Sequence, residues 1–166
     1  MPAHHQHSFP VTSTASAVRE ARHHVVATIG SWNIRRCEEW LDGIELVAGE
    51  LIANAVLHAG AGPITVDIRQ DEVQVFIAVH DPASALPQET DAGPHAESGR
   101  GLQLVDAFAD RCGAEPTEHG KRCWAAFDLP SSPDPQPGPW PRFPSPSAAP
   151  HQQGLDRPWL SIAQHR

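Results

Sequence analysis

Between Leu46 and Ala59 the chain is apolar at almost every position, and the strongly polar side chains are Glu50, Asn54 and His58. A spacing of four stacks them along one stripe of a helix. Apolar residues cover nearly all of the remaining surface, so the helix is expected to be largely buried. It should start near Arg36 to Glu38 and end at Ala59, because Gly60-Ala61-Gly62-Pro63 breaks any regular element. A glutamate is seldom buried without a partner, and an unpaired buried carboxylate is costly. The stripe is therefore expected to face something polar in a cleft, such as a metal ion, a phosphate or water.

Other segments read by their own periods. Val18, Ala21, Val25 and Ile29 recur at helical spacing after Ser13 and Thr14, either of which can cap the helix, and Gly30 is a plausible stop. Ile64, Val66 and Ile68 alternate with Thr65, Asp67 and Arg69, the pattern of a half-buried strand. Gln70-Asp71-Glu72 turns the chain into a second strand with Val73, Val75, Ile77 and Val79 inward, and counting on by twos puts Asp81 on that same face. Residues 82–100 read as a long loop ending in Gly99-Arg100-Gly101, with a short helix from Leu102 through Val105 and Phe108. Glycines that open a helix leave its free N–H groups approachable, as phosphate binding requires. Cys112–Glu118 and Arg122–Leu129 read as a closing hairpin around His119-Gly120-Lys121; a lysine in such a turn is more often solvated, the alternative for Lys121 being to reach a phosphate. Ser8–Val11 is suited to an edge strand, since Pro10 cannot donate to a ladder.

The boundaries follow from composition. Residues 1–7, with His4, His5 and His7, read as a frayed, disordered terminus; residues 8–129 form one domain. Ten of the seventeen prolines lie from Pro130 onward, which opposes both helix and ladder bonding, so 130–166 reads as a disordered Pro-rich tail. A formal charge of -8 argues against a general nucleic-acid binder. Cys37, Cys112 and Cys123 fit neither a metal signature nor a paired disulfide framework, and read as free thiols. With no signal-peptide core and no apolar run long enough to span a bilayer, a cytoplasmic location is expected.

Three motifs in order carry a resemblance. Glu50-Leu-Ile-Ala-Asn54-Ala-Val-Leu-His58 resembles the N box of the GHKL ATPase superfamily (gyrase, heat-shock chaperone, histidine kinase and MutL-type ATPases). Val79-His80-Asp81, with Pro87 downstream, resembles its first glycine-box segment, and Gly99-Arg100-Gly101-Leu102 its second. The chain is most similar to small anti-sigma-factor serine/threonine kinases of actinobacterial type. That resemblance implies a Bergerat-type ATP-binding fold: a two-layer α/β (α+β) sandwich, with a mixed, mainly antiparallel sheet and helices on one face.

It also implies ATP and Mg²⁺ as cofactors. Asn54 would bind Mg²⁺, Asp81 would accept from the adenine amino group, and Gly99, Arg100, Gly101 and Leu102 would form the hinge of the ATP lid. Glu50 would be the general base. The implied partners are an anti-sigma-factor antagonist, phosphorylated on serine or threonine, and a sigma factor; related regulators often dimerise, and neither nucleic acid nor membrane is implied. The sequence departs from the pattern in having no glycine in Asp81-Pro-Ala-Ser-Ala-Leu-Pro87, and in carrying Glu97 where some kinases of this branch have arginine. Catalysis, a non-catalytic partner-binding module on the same fold and a stand-alone ATPase therefore all remain open at this point.

Overall fold

A buried central helix organises the domain. The computed structural model describes residues 4–34, 37–85 and 100–130. The elements are β1 (His5–Val11), α1 (Ala15–Ser31), α2 (Glu38–His58), β2 (Ile64–Gln70), β3 (Gln74–Asp81), α3 (Arg100–Phe108), β4 (Arg111–Thr117) and β5 (Gly120–Asp128). The expected tail and most of the expected lid loop lie outside the described residues.

The strands form one sheet in the order β1-β2-β3-β5-β4. Its four ladders are all antiparallel. The three helices cover one face, with α2 packed between α1 and α3 and laid across β2, β3 and β5. This is the two-layer α/β sandwich expected from the sequence. Ile44, Val47, Leu51 and Ile52 of α2 meet Ile64, Val66 and Ile68 of β2, Val75, Ile77 and Val79 of β3, and Ala125 and Phe127 of β5 in one core. Each fully buried aliphatic side chain contributes about 1.5–3 kcal/mol, which is why so few polar groups are tolerated here.

Local chemistry sets the boundaries. Thr14 caps α1, its Oγ1 accepting from the Ala17 N–H at 3.3 Å. The β2–β3 turn is held by Asp71, whose Oδ1 accepts from the N–H groups of Val73 and Gln74, both at 2.9 Å. Those hydrogen bonds hold the Asp71 carboxyl below its ordinary pKa. Trp40 Nε1 donates to the Asp128 carbonyl at 3.2 Å, tying the start of α2 to the end of β5.

The amino-terminal boundary is corrected: β1 begins at His5, so His5–His7 are strand rather than frayed terminus. His5, His7 and Phe9 share one face by alternation, and their rings pack on α1 and its cap. His5 stacks on Trp32 with centroids 5.2 Å apart, and His7 and Phe9 both lie against His24. Flat imidazoles here do the packing that an aliphatic strand would otherwise do, a role that a hydropathy pattern does not register.

Candidate functional site

The polar stripe of α2 lies along the carboxyl end of β3 and the start of α3. Glu50 is half-buried, and removal from water raises its carboxyl pKa. A Cβ on Gly101 would stand 2.6 Å from Glu50 Oε2, so the first turn of α3 rests directly against this carboxylate. One turn further along α2, Asn54 is half-buried and its Nδ2 has no hydrogen-bond partner among the described residues. A half-turn of the amide exchanges its nitrogen and oxygen, so Asn54 presents an uncommitted polar group of either kind. His58, at the exposed end of the stripe, is close enough for its positive form to favour ionised Asp81.

Asp81 is buried on the helix-covered face at 5% exposure, as strand parity predicted. Its Oδ1 accepts from the Ala83 N–H at 2.9 Å, while Oδ2 has no hydrogen-bond partner among the described residues. Burial raises its pKa; the Ala83 hydrogen bond and the charge of Lys121 oppose that rise. The backbone closes tightly around it. Gly120, at φ +151°, leaves no room for a Cβ, which would stand 2.0 Å from the Asp81 carbonyl oxygen. Gly62, from the breaker after α2, also leaves no room for a Cβ, here because of the Pro82 ring.

Lys121 departs from the reading of the hairpin. It is not in the turn but is the second residue of β5, register partner of Asp81, and only 1% exposed. Its Nζ donates to the Ala85 carbonyl at 2.9 Å and lies 3.7 Å from Asp81 Oδ2. Counting back by twos from Phe127, Ala125 and Cys123 puts Lys121 on the inward face; the signal was present but masked by the adjacent turn residues His119 and Gly120. Cys123, next on that face, has its thiol pushed up to about 11 by burial, so it is a packed thiol and not a nucleophile.

The remaining expected site residues separate. Arg100 and Gly101 begin α3, and Arg100 is exposed. Leu102 is 6% exposed within the core, so any ligand contact it makes would be through its backbone. Gly99, Pro87 and Glu97 lie outside the described residues. The described residues hold no cluster of three or more metal-ligating side chains. No described helix is long and apolar enough to cross a membrane.

A helix layer on one face of an antiparallel sheet, with Glu50 and Asn54 on the central helix and an inward Asp81 at the end of β3, is consistent with the GHKL type of ATP-binding fold. The family model of the histidine kinase-like ATPase domain matches residues 11–127, and the chain belongs to that family. No curated protein matches the chain alongside it. The family is associated with ATP-dependent phosphoryl transfer, and its members generally bind ATP and Mg²⁺.

Proposed function

We propose that this chain is an ATP-dependent serine/threonine kinase that phosphorylates an anti-sigma-factor antagonist and binds a sigma factor as its second partner. The observation that carries this reading is Glu50, a carboxylate with raised pKa set against the opening of α3 and one turn from Asn54. A base for an alcohol must be near a proton it can take and basic enough to take it. Glu50 accepts the proton of the acceptor hydroxyl as that oxygen attacks the γ-phosphorus and the bond to the leaving ADP oxygen breaks. Asn54 would hold Mg²⁺ through its amide oxygen, turned to the position where the amide now has no hydrogen-bond partner among the described residues. Mg²⁺ bound there would neutralise phosphate charge, which is most of what phosphoryl transfer asks of a protein. Asp81 Oδ2 accepts from the adenine amino group, and the first N–H groups of α3 face the phosphates.

The experiment is transfer of labelled phosphate from ATP to a candidate antagonist. Glu50→Gln should abolish labelling while ATP still binds. Wild-type protein that binds ATP but labels no cognate antagonist contradicts the kinase reading. A second reading, a nucleotide-independent partner-binding module, is favoured by Lys121, which supplies an opposite charge 3.7 Å from Asp81 Oδ2 from within the fold itself. It requires a partner complex indifferent to both ATP and Asn54→Ala.

A further inference from the structure

The buried lysine beside Asp81 is unused by the mechanism above, and its surroundings specify a ligand edge. Among the described residues, its ammonium has one hydrogen bond, to the Ala85 carbonyl, out of the three that it can donate. Among the described residues its ion-pair partner is Asp81, whose Oδ2 stands at 3.7 Å, too far for a hydrogen bond. Asp81 Oδ1 is already engaged by Ala83, and Oδ2 has no donor among the described residues. The site thus offers one free acceptor next to one cationic donor, both buried and both on the helix-covered face.

We propose that Lys121 is a base-reading residue: it donates to a ring-nitrogen acceptor adjacent to the exocyclic amino group that Asp81 accepts. This rests on the nucleotide-binding reading above. The matching edge is that of a 6-aminopurine, with its N6 amino donor beside the N1 acceptor. Guanine presents O6 beside two donors, N1–H and N2–H, and would need both carboxylate oxygens; Ala83 holds one of them. A donor at N1 also makes the site selective, since an unmet buried ammonium disfavours any base that lacks the acceptor.

The test is calorimetric binding of ATP and of 1-deaza-ATP, which keeps the amino group but replaces N1 with carbon, to wild type and Lys121→Met, both with Mg²⁺. Wild type should bind the deaza analogue at least about tenfold more weakly, as expected for loss of a hydrogen bond to a charged group. In Lys121→Met, ATP and the analogue should bind with equal affinity. A merely structural lysine would lower affinity for both nucleotides alike and leave their ratio unchanged between the two proteins, and that result overturns the assignment. If Lys121→Met does not fold, wild type decides alone: equal affinity for ATP and the analogue, or tighter binding of GTP than of ATP, overturns it. If folded wild type binds no nucleotide, the nucleotide reading itself fails and this assignment fails with it; loss of discrimination alone leaves that reading standing.

Discussion

Glu50 and Gly101 are in such close register that a methyl group on Gly101 would stand 2.6 Å from Glu50 Oε2. The glycine is thus required by the carboxylate above it, not by backbone conformation. Gly101→Ala should push Glu50 off its position rather than unfold the domain, because the obstructing atom is the end of a flexible side chain. A misplacement of about 1 Å at a reacting group can cost on the order of a hundredfold in rate. We expect phosphoryl transfer to fall by at least about tenfold, with a change in stability within about 0.5 kcal/mol. Transfer assays beside thermal melts check this; equal activity in the variant would detach Glu50 from the chemistry.

The raised pKa of Glu50 predicts the pH profile. A general base works in its ionised form, so the rate falls as pH drops through the pKa. Because burial raises that pKa, the acid limb should lie above the ordinary glutamate range. Loss of activity only at or below the ordinary glutamate pKa, with the protein still folded, would contradict the role given to this side chain.

Asp81 and Lys121 form a buried pair, each with a side chain 1% exposed. Removing one member of such a pair strands the other charge, at about 3–5 kcal/mol. Lys121→Met should therefore destabilise the fold by roughly this amount, and adding Asp81→Asn should recover much of it. Chemical denaturation of the two single variants and the double variant measures the coupling. Strict additivity would mean that the two groups do not act as a pair. The sign of the pH effect follows from the raised Asp81 pKa: its contribution to stability is greatest below the unfolded-state pKa and is lost as pH rises through the folded value.

Gly120 is constrained by backbone, which cannot yield. At φ +151°, with the Asp81 carbonyl oxygen 2.0 Å from any added Cβ, Gly120→Ala combines conformational strain with a clash. A loss on the order of 3 kcal/mol is expected, with nucleotide affinity falling as the Asp81 pocket distorts. A melt unchanged from wild type would refute this.

Much of this arrangement was legible beforehand because period and parity are geometric. The Glu50, Asn54 and His58 spacing placed the stripe, and counting by twos placed Asp81 inward. The same count applied to β5 would have turned Lys121 inward; its position next to Gly120 suggested a turn instead. The β1 histidines were missed for a different reason: ring stacking on Trp32 and His24 depends on tertiary contact, which a one-dimensional pattern does not carry. Nor does a motif tell side chain from backbone: Leu102 belongs to the second glycine-box segment, yet its side chain is core.

The central claim is that the α2 stripe and Asp81 together form a nucleotide site, and Mg²⁺-ATP calorimetry tests it most directly. Wild type should bind, and Asn54→Ala and Asp81→Asn should each weaken binding by about tenfold or more while the protein stays folded. No binding by folded wild type at millimolar ATP, or affinity untouched by both substitutions, would contradict the account.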